Sequence, residues 1–298
     1  MRTVNSPTGA IHMRMNVAKK LAMVAASVAV LAVGLGGVAQ AGRGGSPQAI
    51  QLAIASGSPD AIKAELERAE FLVCGACVDL VKPLVDHADP GIRQVAAWWL
   101  ARRGVSREVR VAMLTRLSQP DSTAARNAAD VLGEFHYVSS IPALAAALSN
   151  PIFSGEARAA MARALGNINR PAVIAPLTAA LADGDAQVKT GALLALQKVS
   201  GTRDGSAVVP LVSDADAAVR AEAAVTLGML RAPQGAAALL TALRDDASVT
   251  VRRRAAWALG EIHADASTAG PVLQTAAAND PSPLVRSLAT VALTKLAR

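Results

Sequence analysis

Between residues 75 and 298, small and apolar side chains recur three and four positions apart in blocks of about a dozen residues, and the blocks return every 31 to 34 positions. Each return carries a basic residue near its start, at Arg93, Arg158, Lys189, Arg220, Arg252 and Arg286, and most run on to a Leu-Gly pair such as Leu165-Gly166, Leu227-Gly228 or Leu259-Gly260. Counting from the basic residue, the Ala, Ala, Ala and Leu at plus three, four, six and seven fall on one stripe of a helix, leaving plus one, two and five on the other side. These blocks predict helices near 91–103, 122–135, 155–168, 186–199, 217–230, 248–262 and 283–297. The clearest partner helices precede them, at 77–87, 142–148, 172–182, 207–212, 235–244 and 268–278. Turn residues such as Asp89-Pro90-Gly91, Pro120-Asp121-Ser122 and Asp183-Gly184-Asp185 separate the two kinds. Gly133, Gly166, Gly228 and Gly260 fall where a helix C-terminus tolerates positive φ. A fixed period of this length is the mark of a solenoid, whose units bury their apolar faces against their neighbours.

The pattern resembles HEAT repeats, particularly the short bacterial kind also found in phycobilin lyases, over nearly all of residues 75–298. The resemblance implies an all-α fold, an α-solenoid built as a right-handed superhelix of about seven helical hairpins. It also gives a structural role to Asp183/Lys189, Asp214/Arg220, Asp246/Arg252 and Asp280/Arg286, each pair six residues apart. In HEAT repeats those positions form a hydrogen-bonded ladder between the turn and the second helix. The second unit departs from the pattern, because Ala125 stands where the basic residue belongs, and its rung is expected to be missing.

Ahead of the repeats, residues 42–74 comprise a linker and two polar helical stretches, around 48–52 and 60–70. Solenoids need an end unit with one wet face, and this segment is the natural N-terminal cap. Residues 1–41 are different in kind. Arg14, Lys19 and Lys20 precede an apolar run over 21–33 and the triplet Ala39-Gln40-Ala41, which together form a secretory signal cleaved after Ala41. The alternative is an uncleaved anchor over 21–38, a length close to the ~20 residues that span a bilayer; Gly34, Gly36 and Gly37 weaken such a helix. Met13 and Met15 offer later starts. The expected location is periplasmic or otherwise extracytoplasmic, with no stable membrane insertion after cleavage.

Composition adjusts this picture in two ways. The chain is 52% hydrophobic but only 2% aromatic, so its cores are built from Ala, Leu and Val, residues that favour helix or fit its small-residue packing. The formal charge of +7 includes Arg2, Arg14, Lys19 and Lys20 of the leader, and without them 26 basic residues face 23 acidic ones. That balance, spread along the chain, gives no footprint for a nucleic-acid partner.

Candidate chemistry is sparse. Cys74 and Cys77, in Cys-Gly-Ala-Cys, are the two cysteines of the chain. This spacing suits a local disulfide, a metal, thiol exchange or a thioether-linked cofactor. Val78 in place of His argues against haem attachment, and His87, His136 and His263 are too scattered for a zinc set. A thioredoxin-type site comes with a βαβ context that this chain lacks, so in an oxidising compartment a local disulfide is the leading reading. Phosphate-binding, zinc-protease and serine-hydrolase motifs are absent from the sequence, and the expectation is a protein that is not an enzyme and takes no cofactor or metal. A binding surface is expected on the second helices, which line the concave side in HEAT solenoids. Its candidates are Trp98, Asp130, Arg163 and Trp257 at plus five, with Arg253 and Arg254 beside Trp257, Trp and Arg being types that dominate interface hot spots; the alternative is that Trp98, Trp99 and Trp257 plug gaps between the Ala-rich helices. Cation–π stacking between Trp257 and these arginines is expected. The function expected is an exported scaffold for a protein or peptide partner; the alternative is an accessory factor for thiol redox or cofactor attachment through Cys74 and Cys77.

Overall fold

The computed structural model describes residues 45–297. The basic stretch, apolar run and Ala39-Gln40-Ala41 site on which export rests lie outside the described residues. Among the described residues there are fifteen α-helices and no strands, and none of these helices is long and apolar enough to cross a membrane. The chain is an α-solenoid.

Two helices, α1 (Pro47–Ala55) and α2 (Pro59–Arg68), precede the repeats. Seven hairpins follow. Their second helices are α4 (Pro90–Ala101), α6 (Ser122–Phe135), α8 (Gly155–Ile168), α10 (Ala186–Lys198), α11 (Ala217–Leu230), α13 (Val249–Glu261) and α15 (Pro283–Leu296). The first helices are shorter on average: α3 (Gly75–Val81), α5 (Ser106–Arg116), α7 (Ile141–Leu148), α9 (Ile174–Ala180), α12 (Ala236–Asp245) and α14 (Ala266–Asn279). In the fifth unit the expected helix at 207–212 is only a 3-10 turn over Val209–Ser213, with Pro210 at its start. Helix α5 has no counterpart among the clear sequence signals. Its buried positions, Val109 and Met113, are spaced among Arg107, Glu108, Arg110 and Arg116, so its apolar stripe is thin.

Turn chemistry explains where the second helices begin. The side chains of Asp89, Asp121, Ser154, Asp185 and Asp216 each accept a hydrogen bond from a backbone N–H two or three residues ahead. Such caps satisfy the unpaired donors of the first turn and are worth about 1 kcal/mol each. The stripe at plus three, four, six and seven is inside as expected in the first six units; in the seventh, at the end of the stack, Thr290 is exposed and Leu293 half-buried. In the sixth unit Ala255, Ala256, Ala258 and Leu259 are fully buried.

The glycines differ from expectation. Gly133, Gly166, Gly228 and Gly260 have ordinary helical backbone, and the left-handed position comes later, at His136, Asn169, Arg231 and His263. What these glycines permit is close approach of neighbouring second helices. A Cβ on Gly166 would lie 2.8 Å from the Cα of Ala195 on the next second helix, and one on Gly133 or Gly260 would meet Ala164 or Ala292 at 2.9 or 3.1 Å. The second helices are therefore the tightly packed layer and the first helices the looser one, a difference that bends a stack toward the tighter layer.

Trp99 and Arg103 fasten the N-terminal helices to the first unit. The Trp99 side chain is fully buried, and its Nε1 donates to the Ala69 carbonyl at 3.0 Å. Arg103 lies 3.5 Å over the same ring and donates to the carbonyls of Ala69, Glu70 and Leu72.

Candidate functional site

The exposed side of the second helices is a regular lattice of rows, each row holding one residue per unit, because successive second helices lie side by side. Its edge is the ladder. Arg220 donates through Nη1 to the carbonyls of Asp214 and Ala215 in its own turn, and through Nε and Nη2 to the carboxylate of Asp246 in the next unit, at 2.7 and 3.1 Å. Arg252 repeats this with the Asp246 and Ala247 carbonyls and the Asp280 carboxylate. Lys189 pairs with Asp214, Arg158 with Asp183, and Arg286 donates to the carbonyls of Asp280 and Pro281. Each Asp in turn accepts from the backbone N–H two residues on. The expected pairs do not bond as pairs: the ion pair joins one unit to the next, Arg220, Arg252 and Arg286 bond within their own units to backbone carbonyls, and among the described residues the Lys189 side chain bonds only to the next unit's Asp214.

Around the second unit the ladder is rebuilt from other residues. Ala125 supplies no base, as expected, and Gln119 supplies no acid six residues before it. Arg93 instead reaches Asp130 on α6 at 2.6 Å, with both side chains less than a tenth exposed, and Arg126 pairs with Glu156. Asp130, expected to face a partner, is thus a structural anion, withdrawn from the surface to answer the Arg93 charge.

The other candidates remain in the plus-five row. Arg163 is exposed and makes no ion pair among the described residues. Trp98 and Trp257 are half-buried. Trp98 is stacked by Arg102, whose guanidinium is 4.3 Å from the ring centroid, and it lines a cleft of about 540 Å³ with Lys63, Glu67, Glu70, Gln94 and Glu134. Trp257 packs its ring against Gly228, where an added Cβ would lie 2.5 Å from a ring carbon. The expected stacking of Trp257 with Arg253 or Arg254 is not found among the described residues, where the cation–π contacts are Arg102–Trp98, Arg103–Trp99 and Arg110–Tyr137. Arg254 turns to Glu222 of the fifth unit at 2.7 Å, and Arg253 stays half-buried and makes no ion pair among the described residues.

Between these positions the row is apolar. Leu194 is 39% and Val291 45% exposed, with half-buried Val225 between them. A second row, four residues further along each helix, was not picked out from the sequence, although the same count from the basic residue finds it: Arg102, Glu134, Asn167, Lys198, Met229, Glu261 and Lys295. Lys198 bonds Asn167, and Lys295 pairs with Glu261. Met229, 55% exposed, interrupts this polar run beside Leu194 and Val225. Burial pushes the Glu134 carboxyl above its usual value, against the pull of His136, Lys198 and Arg102.

Cys74 and Cys77 lie at the start of α3 with their sulfurs at bonding distance, 2.10 Å. The Cys77 N–H donates to Cys74 Sγ at 3.0 Å. Among the described residues no group of three or more His, Cys, Asp or Glu side chains is placed to hold a metal ion. His136 and His263 sit at the left-handed residues that end second helices.

With this geometry in view, two family patterns match the chain, one described as HEAT repeats over residues 205–294 and one as PBS lyase HEAT-like repeat over residues 157–183. The repeats matched over residues 157–183 and 205–294 are of the HEAT kind. The solved structure of YibA from Escherichia coli shares the fold, with a TM-score of 0.51 at 18% identity, over 85% of this chain and 91% of that one. The complex of CpcE and CpcF of phycocyanin lyase from Nostoc sp. is also similar, with a TM-score of 0.41 and 21% identity over 74% of this chain and 94% of that one. Among curated proteins, deoxyhypusine hydroxylase of Bos taurus is 32% identical over 117 residues, a stretch that spans 39% of each chain. That match corrects one expectation. This relative carries the name of an enzyme, so the lack of familiar catalytic motifs does not place this chain outside catalysis.

Proposed function

We propose that this chain is an exported HEAT-repeat scaffold that binds a protein partner along the exposed face of its second helices. The observation that carries the reading is the plus-five row, which presents Trp98, Arg163, Leu194, Val225, Trp257 and Val291 on six of the seven second helices, held in register by the ladder. Rows of this kind suit an extended segment or a partner helix, because equivalent positions recur at the ~10 Å spacing of packed helices. Tight packing of the second-helix layer supports its place on the inner side of the stack. Its tryptophans and arginine are of the types that dominate interface hot spots, and its leucine and valines add apolar area between them.

Export follows from the leader pattern, and it predicts a mature chain beginning at Gly42 in the extracytoplasmic fraction. The test of the reading is capture of partners by the immobilised mature chain and by Leu194→Asp and Arg163→Ala variants. Both residues are exposed, so both variants should melt within a degree or two of the parent. Loss of the captured protein with an unchanged melting temperature is the expected result. Capture indifferent to both substitutions contradicts the reading.

A further inference from the structure

The loop joining α2 to α3 has an arrangement that stability alone does not account for. Phe71 and Val73 are 87% and 99% exposed, on either side of half-buried Leu72, whose carbonyl accepts from Arg103, and Val73 leads directly into Cys74. Cys74 is half-buried and lines a cleft, whereas Cys77 is fully buried. A cleft of about 650 Å³ opens beside Cys74, lined by Phe71, Val73, Val78, Arg102 and Val105. Two apolar side chains thrust into solvent next to a cysteine that lines a cleft form a place for polypeptide to lie against a disulfide.

A structural staple is an insufficient account of this pair. The loop is already held by three hydrogen bonds from Arg103 and one from Trp99. The bond closes a ring with a sequence separation of only 3, and the constraint a disulfide puts on the unfolded chain is smallest for the shortest loops.

We propose that Cys74–Cys77 is a thiol–disulfide exchange site that oxidises pairs of cysteines in polypeptide partners, with Phe71 and Val73 as the docking edge. A partner thiolate attacks Cys74 Sγ from the cleft, the Cys74–Cys77 bond breaks, and Cys77 leaves with the electron pair and takes up a proton. The partner's second thiolate then attacks its own sulfur in the mixed disulfide and expels Cys74 as a thiolate. Two electrons pass from the partner dithiol to the protein, and the partner's two thiol protons are balanced by those taken up at Cys74 and Cys77. The Cys77 N–H that donates to Cys74 Sγ favours the thiolate there. A stabilised reduced form makes the disulfide a stronger oxidant and Cys74 a better leaving group.

The test mixes the full oxidised chain with a reduced synthetic peptide carrying two cysteines among apolar residues, and follows thiols on both by mass. The expected result is one peptide disulfide formed per protein disulfide lost, at a rate at least about tenfold above that of oxidised glutathione at equal concentration. The Phe71→Ser, Val73→Ser double variant should lose that advantage while keeping its melting temperature. Cys77→Ser, left with the cleft-lining sulfur, should trap the oxidised peptide as a mixed disulfide, and Cys74→Ser should not. A protein disulfide that survives the peptide overturns the proposal. So does exchange no faster than glutathione and indifferent to Phe71 and Val73, or equal trapping by the two single-cysteine variants.

Discussion

At the residue scale the ladder makes stability a matter of a few carboxylates. The Arg252 guanidinium beside Asp280 holds its carboxyl below the usual 3.8, with burial opposing and the Ser282 N–H assisting. Asp214 and Asp246 are also lowered, in their case against burial as the largest influence, by Lys189 and Arg220 respectively. A carboxyl lowered in the folded state binds its proton more readily when unfolded, so the stability it contributes is complete above pH 3.8 and is lost as pH falls through the folded value. Acid titration followed by helix content should therefore show a plateau from neutral pH down to the carboxylate range, then unfolding, with Asp280→Asn reducing the acid slope. Glu134 runs the other way. Its carboxyl is raised from 4.5 by burial, so its contribution is present at low pH and lost as pH rises through the folded value; Glu134→Gln should raise the melting temperature at pH 7 and leave it unchanged at pH 3.5. Asp130→Ala strands the buried Arg93 charge and should cost about 3 kcal/mol in denaturant melts. This last residue marks where the sequence misleads at single-residue resolution. Helical periodicity places Asp130 outward with Arg163 and Trp257, and only the absence of both Gln119 and Ala125 from the acid and base roles shows, in retrospect, that Arg93 needed another anion.

At the element scale every second helix is legible, whereas among the first helices α5 escapes and the fifth unit falls short of a helix, for a physical reason. A second helix is covered by its hairpin partner and by second helices on one or both sides, which imposes the long Ala-Leu stripe that the eye finds. The first helices share a looser layer, so α5 manages with Val109 and Met113, and the fifth unit with a 3-10 turn. The same asymmetry explains the glycines, whose place near helix ends suggested a cap and whose neighbours show a crossing. Gly166→Ala and Gly270→Ala separate these roles. Both lie inside helices, and alanine has a helix propensity about 1 kcal/mol better than glycine. Gly270 has nothing within 4 Å of an added Cβ apart from its chain neighbours, but Pro271 follows it and resists a Cβ on the residue before, so its substitution should be close to neutral, within about 0.5 kcal/mol. At Gly166 the new Cβ would meet the Ala195 backbone at 2.8 Å and drive α8 from α10, a net loss of about 1–3 kcal/mol. Equal effects at the two positions, measured by chemical denaturation, would contradict helix crossing as the role of this row.

At the scale of the whole molecule, repetition turns local packing into a surface. Each rung fixes one unit against the next, and the fixed step between units carries the plus-five and plus-nine positions across the face in rows. The period and the stripe made that architecture readable from residues alone, and the rows follow from it by counting. Which members of a row stay open to solvent was less readable. Arg163, Leu194 and Val291 do, Asp130 does not, and Arg254 is taken up by Glu222. The central claim is that this face, and not the first-helix face, receives a protein partner. Its most direct test places a photo-crosslinking amino acid at Leu194 or Val291 on one face and at exposed Thr241 or Thr275 on the other, in the native host. Irradiation should yield the same protein adduct from Leu194 and Val291 and none from Thr241 or Thr275. Adducts from the first-helix positions alone would contradict the account.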